Sequence, residues 1–299
     1  MRRWFVALAI VAALAGGAGL ILTRPSVTAP TELNGLVPDL AQGEVVFYAA
    51  GCAACHSAPG AEKEDRLVLS GGRRFETPFG TFVAPNISSD PEHGIGNWSS
   101  VDLANALIHG TSPSRQHYYP AFPYASYSRI KMQDVVSLHA FLKTLPANSA
   151  PSAPHEIGFP FNIRLALGGW KLLFLDPDWV VDRELTAEQE RGRYLVEALG
   201  HCGECHTRRN ALGGMVLSEW LQGAPNPNGR GRIPGLTPDQ LKWSEADIAE
   251  YLKSGFTPDY DSAGGEMVEV IENTSRLSDA DRLAIAKYLK IIPGASAVD

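Results

Sequence analysis

The sequence predicts an all-α protein: two tandem helical domains behind a single N-terminal transmembrane helix. Three observations predict it. An apolar run extends from Trp4 to Leu22, directly after Met1-Arg2-Arg3. A weak internal repeat covers most of the remaining chain. Its two best-matched segments, Asp134–Pro146 and Asp281–Pro293, align without a gap and place apolar residues at three- and four-residue spacing, the period of a helix with one buried face.

The apolar run is about 28 Å long as a helix at ~1.5 Å per residue, close to the ~30 Å hydrocarbon core of a bilayer. The two arginines before it hold the N-terminus in the cytoplasm and send the rest of the chain across. The small residues of Ala12–Ala18 would suit signal cleavage, but Leu20-Ile21-Leu22 carries the run beyond them. An uncleaved anchor over residues 1–24 is therefore expected, in the bacterial inner membrane with the rest in the periplasm. A soluble periplasmic form after cleavage is the alternative. Residues 25–37 form a tether containing Pro and Thr.

In the repeat, Gly43-Glu-Val-Val-Phe-Tyr leads to Cys52 and Gly192-Arg-Tyr-Leu-Val leads to Cys202. Asn97-Trp98-Ser99 opens a helical pattern that ends at Gly110, and Lys242-Trp243-Ser244 opens another that ends at Gly255. In both, serine is the expected N-cap and glycine the stop. The matched amphipathic segments close each repeat before a proline. The domains are expected at 38–148 and 183–299. Residues 149–182, rich in Pro, Phe and Trp, join them. Their apolar part, Phe161–Leu175, reads as a strap packed between the domains, with a docking surface as the alternative. Gly43 and Gly192 are candidates for close crossing of the first and last helices of each domain, beside the plainer reading of ordinary helix glycines.

The 299 residues carry a net charge of −7 with no long run of one sign. That excludes nucleic acid as a partner, because phosphate binding needs clustered Lys and Arg. The four cysteines carry the chemistry. They form two tight pairs, each followed at once by histidine: Cys52-Ala-Ala-Cys55-His56 and Cys202-Gly-Glu-Cys205-His206. This is the attachment signature of c-type haem. Two thiols reach the two vinyl-derived carbons on one porphyrin edge, and the next residue is held under the iron as proximal ligand. A zinc site built from both pairs would need a spacing of roughly 15–20 residues. A thioredoxin-type pair would need a βαβ setting. Neither explains a histidine after both pairs. Two covalently bound haem c groups are expected.

A six-coordinate electron-transfer haem needs a second axial ligand, usually Met or His. The chain has four methionines. Met132 lies just before the last helix of the first domain and Met267 in the loop before the last helix of the second, the arrangement of class I cytochrome c domains. They are the expected distal ligands, with core packing as the alternative for each. Met215 is the second choice in domain two, and His109 or His117 in domain one. His93, His139, His155 and His201 are given no role. Trp98, Trp243, Tyr127 and Tyr288 are candidates for packing on the porphyrin edge, and Thr77–Asn86 for a loop that walls in the first haem.

At these residues the chain resembles the membrane-anchored cytochrome c subunits of bacterial periplasmic alcohol, gluconate and aldehyde dehydrogenases. The resemblance is carried by Gly51–His56, Thr77–Gly80, Asn86-Ile87, Gly94–Ser99, Tyr119–Tyr124, Phe159–Asn162 and Gly200–Thr207. It implies an electron-transfer protein rather than an enzyme, one that takes electrons from a periplasmic dehydrogenase. The acceptor it implies is the quinone pool, another cytochrome or a terminal oxidase. It also supports Met132 and Met267 as the axial ligands. The best-known members carry three haems and a C-terminal membrane attachment; here there are two motifs, and the N-terminal run is expected to replace that attachment. The rival classes are a two-haem peroxidase, which needs an open or displaceable iron position, and a zinc-stapled structural protein.

Overall fold

The computed structural model describes residues 2–227 and 231–294. The end of the expected second domain, 295–299, lies outside the described residues. Helix α1 (Arg2–Leu22) contains the apolar run; its most apolar 18-residue window has a mean hydropathy of 2.5, and none of that window's described residues is buried against the rest of the protein. It is the one described helix long and apolar enough to cross a membrane, a property that an anchor and a signal sequence share.

The first half is built from α2 (Leu40–Ala49), α3 (Cys52–His56), a two-stranded hairpin β1–β2 (Arg74–Thr77, Gly80–Val83), α4 (Ser100–His109), α5 (Tyr124–Tyr127) and α6 (Met132–Leu142). Helix α7 (Ala166–Phe174) lies in the connection. The second half repeats the plan with α8 (Ala187–Arg193), α9 (Gly203–His206), a short hairpin β3–β4 (Ala224–Pro225, Arg232–Ile233), α10 (Glu245–Ser254), α11 (Met267–Thr274) and α12 (Asp279–Leu289). A π-helical stretch, Tyr194–Leu199, continues α8 towards the second cysteine pair.

Local chemistry sets the helix ends. The Ser99 and Ser244 hydroxyls each accept a hydrogen bond from the backbone N–H three residues on, while the Asp102 and Asp247 carboxylates accept one from the serine N–H. Gly110 (φ 56°) and Gly255 (φ 78°) close α4 and α10 in the left-handed conformation that costs glycine nothing.

In each half the first helix crosses the last. A Cβ at Gly43 would overlap the Ser137 carbonyl and press on Phe141; one at Gly192 would overlap the Ala284 carbonyl and press on Tyr288. Both glycines are therefore crossing points, as the sequence suggested. Tyr288 stands at this crossing and donates to the buried Glu197 carboxylate. Its place in the repeat corresponds to Phe141, a helix-packing position.

One apolar core runs through both halves, from Phe47, Val135 and Leu138 to Leu195, Ile285 and Leu289. Polar contacts reinforce the join. Tyr194 Oη donates to Asp134 at 2.5 Å. Arg73 pairs with Glu266 at 2.6 Å, and Arg66 with Glu269 and Glu272. The connecting segment is less buried than its composition suggested. Gly168 is buried against the backbone of Thr23, but Phe159, Phe161, Ile163, Leu165, Leu172 and Leu173 are exposed. The reason is geometric: α7 touches the body along one face only, so the rest of its apolar surface has no neighbour.

Candidate haem sites

The chain reaches the first cysteine pair through Gly51, whose φ of 60° turns α2 into α3. A three-residue spacing on a helical turn sets Cys52 and Cys55 on one side. His56 ends the turn. The backbone N–H of Gly71 (φ 74°) donates to the His56 carbonyl at 2.7 Å, and the β1–β2 hairpin then brings the chain back. Its return delivers the Pro85 carbonyl to His56 Nδ1 at 2.9 Å. The second half does the same. Gly223 (φ 85°) donates to the His206 carbonyl at 2.7 Å, and the Pro234 carbonyl lies 2.7 Å from His206 Nδ1.

The consequence is chemical. A carbonyl can only accept, so each Nδ1 carries the proton and each Nε2 presents its lone pair. A second partner on the far nitrogen is how a protein orients an iron-ligating histidine. Burial lowers the pKa of both rings and keeps them neutral, the form that binds iron. Pro85 and Pro234 were not singled out from the sequence. The available signal was a proline just beyond the turn-rich segment of each repeat, in Val83-Ala-Pro85 and Arg232-Ile-Pro234.

The thiols fit covalent attachment better than a thiolate centre. Burial pushes Cys52 and Cys202 up to about 12 and Cys55 to about 11, and raises Cys205 too. A zinc site or a reactive nucleophile needs the thiolate. All four cysteines are free of disulfides, and among the described residues no group of three or more His, Cys, Asp and Glu could hold a metal ion. Two orphaned polar groups also suit the porphyrin. Trp220, whose ring sits where a Cβ on Gly203 would go, has a buried indole N–H with no partner. Thr237 Oγ1, on the strand of chain that follows Pro234, is likewise buried and unpartnered. Buried donors of this kind are normally satisfied, and the carboxylates of a haem are acceptors.

The two motifs lie close together. The Ala50 carbonyl, two residues before Cys52, accepts from Tyr127 Oη at 3.0 Å and from His201 Nε2 at 3.3 Å; His201 immediately precedes Cys202. The His201 ring stands edge-on to Tyr127, 5.5 Å between centroids. Ser126 Oγ donates at 3.0 Å to Glu204, inside the second motif. His201 thus joins the two attachment segments, a role its sequence position alone did not disclose. Of the expected edge-packing residues, Tyr127 lies at this junction, and Trp98 and Trp243 pack, partly buried, on the shared core.

Three of the remaining histidines have ring partners elsewhere. His139 uses both ring nitrogens, on Ser100 Oγ and the Trp98 carbonyl. His117 Nε2 binds the Thr23 carbonyl at the end of α1. His155 Nδ1 accepts from the Val83 N–H. His109 ends α4, where burial, and after it the nearby Lys171 ammonium, lowers the pKa of its ring. Met215 lies partly buried in the loop behind the second motif, its backbone bridged to Arg209.

The two expected distal methionines occupy different places. Met267 is the first residue of α11, in the element before the last helix, rather than in a loop. Met132 is the first residue of the last helix itself, rather than ahead of it. Counting back from the matched Asp134 and Asp281, the position in the second half that corresponds to Met132 is Asp279, on the exposed first turn of α12.

Comparison with known proteins decides the family. A family model described as Cytochrome c matches residues 40–146. A dihaem cytochrome c-type protein of Cereibacter sphaeroides is 59% identical over 293 residues, covering 98% of this chain and 99% of the relative. The chain is a dihaem c-type cytochrome. As such it is an electron-transfer protein, and its cofactors are two covalently bound haem c groups. It is also 38% identical to the fructose dehydrogenase cytochrome subunit of Gluconobacter japonicus over 90% of this chain and 56% of that subunit. It is 35% identical to the cytochrome c subunit of the quinone alcohol dehydrogenase of Gluconobacter oxydans, over 84% of this chain and 54% of that one. The cytochrome thus spans about half the length of those two subunits. The matched proteins are cytochromes or dehydrogenase subunits, which gives the peroxidase reading no support.

Proposed function

We propose that this cytochrome receives electrons from a periplasmic dehydrogenase and passes them through its two haems to the respiratory chain. In this reading α1 anchors it in the inner membrane. The first haem is attached at Cys52 and Cys55 with His56 as proximal ligand. The second is attached at Cys202 and Cys205 with His206 proximal and Met267 distal. The haem iron, when bound, takes up and releases one electron. The residues of the chain do the rest. The Pro85 and Pro234 carbonyls fix the imidazoles, the buried apolar core excludes water, and Trp220 and Thr237 offer donors to the macrocycle's carboxylates.

The observation that carries the proposal is the junction at Ala50, Tyr127 and His201. It brings the two attachment segments into direct contact, so an electron can pass from one haem to the other without leaving the protein. The relatives that are dehydrogenase cytochrome subunits support the donor class.

The test is to replace one cysteine pair at a time. Cys52→Ala with Cys55→Ala, and separately Cys202→Ala with Cys205→Ala, should each halve the haem that survives acid-acetone extraction, read by the pyridine haemochrome spectrum. Each variant should keep a single one-electron wave in a potentiometric titration. Full haem content in either variant would overturn the assignment.

A further inference from the structure

Between the closing glycine of its middle helix and its last helix, each half carries the same loop at first. Arg115 (φ 62°) and Tyr260 (φ 63°) stand five residues after Gly110 and Gly255. The Ser112 N–H donates to the Gln116 carbonyl, and the Thr257 N–H to Asp261. The Tyr118 N–H returns to the Gly110 carbonyl at 2.7 Å, and the Ala263 N–H to Gly255 at 2.8 Å. Up to this point the halves match residue for residue, and continuing the count puts Phe122 where the second half has Met267.

The match resumes further on. The Ser128 N–H donates to the Tyr124 carbonyl as the Ser275 N–H does to Ile271, and Ile130 to Tyr127 as Leu277 does to Thr274. Counting back from these bonds puts Pro120 opposite Met267. Either count lands inside Tyr119-Pro-Ala-Phe-Pro123, which has no sulfur, imidazole or amine to offer an iron. Phe122 fills the space with a ring. It packs at 5.8 Å from Tyr127 and 6.0 Å from Tyr118. Tyr127 is the residue whose hydroxyl holds Ala50, and it feels the Cys52 and Cys55 thiols. The aromatic cluster therefore abuts the first attachment motif.

We infer that the first haem has no methionine ligand and that its sixth position, walled by the Phe122 cluster, is a binding site for a neutral diatomic molecule. The second haem, closed by Met267, is not. The inference rests on the haem assignment above and deepens it. An apolar aromatic wall suits a neutral ligand, because an anion would lose its hydration there without gaining a charge partner.

Carbon monoxide added to the dithionite-reduced full-length protein is the probe, read by the Soret difference spectrum against the haemochrome haem content. One carbon monoxide per two haems is expected. Met132→Ala should leave that ratio unchanged. Met267→Ala should raise it to one per haem. Phe122→Met should abolish binding and strengthen the near-infrared sulfur-to-iron band of the oxidised protein. A wild type that binds no carbon monoxide while carrying two haems overturns the inference. Binding that appears only in Met132→Ala overturns it too, and makes Met132 the ligand. Fewer than two haems per wild-type chain would instead break the attachment reading.

Discussion

Between the closing turn of α4 and the last helix, the first half of the molecule runs through Tyr119–Pro123 and a single turn of helix, α5. The same stretch of the second half carries Gly264, Gly265 and Glu266, then the eight-residue helix α11, begun by Met267. On the proximal side the halves agree closely. Each has a Cys-x-x-Cys-His turn, a positive-φ glycine bonded to the histidine carbonyl, a hairpin, and a proline carbonyl on Nδ1. The two halves thus share the part that holds the proximal histidine and differ in the loop before the last helix. The proximal face is constrained by covalent geometry, whereas the distal loop sets potential and access and can vary without loss of the cofactor.

The comparison can be broken most forcefully at the axial ligands. Met267→His replaces a thioether with a second imidazole and should lower one reduction potential markedly and remove the sulfur-to-iron band. Met132→His should leave both potentials within error, because the first turn of α6 corresponds to the exposed turn at Asp279. Redox titration of the two variants checks this, and a fall in potential for Met132→His would restore the two halves to equivalence.

The helix crossings sharpen the likeness instead. Gly43→Ala and Gly192→Ala both drive a Cβ into a backbone carbonyl of the last helix, which has nowhere to move. Each should cost about 2–3 kcal/mol of stability, the upper range for overpacking a core. Denaturant melts of the holoprotein give the values, and a much smaller cost at one site would show that its helices can slide apart.

The smallest effect belongs to the caps. Ser99→Ala and Ser244→Ala remove the same side-chain acceptor from the same position and should each cost ~1 kcal/mol. Both caps are exposed, so the two values should agree closely, with haem content unchanged.

The sequence by itself determined the chemistry and the repeat. Cys-x-x-Cys-His is contiguous, so covalent spacing alone makes it readable at Cys52–His56 and Cys202–His206. The caps at Ser99 and Ser244, the closing glycines and the crossing glycines follow from backbone rules that act over a few residues. The apolar run of α1 was legible for the same reason. Tertiary structure alone decided what depends on residues far apart. Pro85 and Pro234 reach their histidines only because a hairpin folds back across almost thirty residues. His201 and Ala50 meet across 151 positions because the halves share one core. Composition marked Phe161–Leu175 as apolar, but not that α7 has a neighbour on one side only. Met132 and Met267 look alike in sequence, each a methionine near a final helix. They differ in space because they are not equivalent positions: Met132 falls opposite Asp279 on the last helix, twelve residues beyond Met267, and a ligand's reach is set by where its backbone is held.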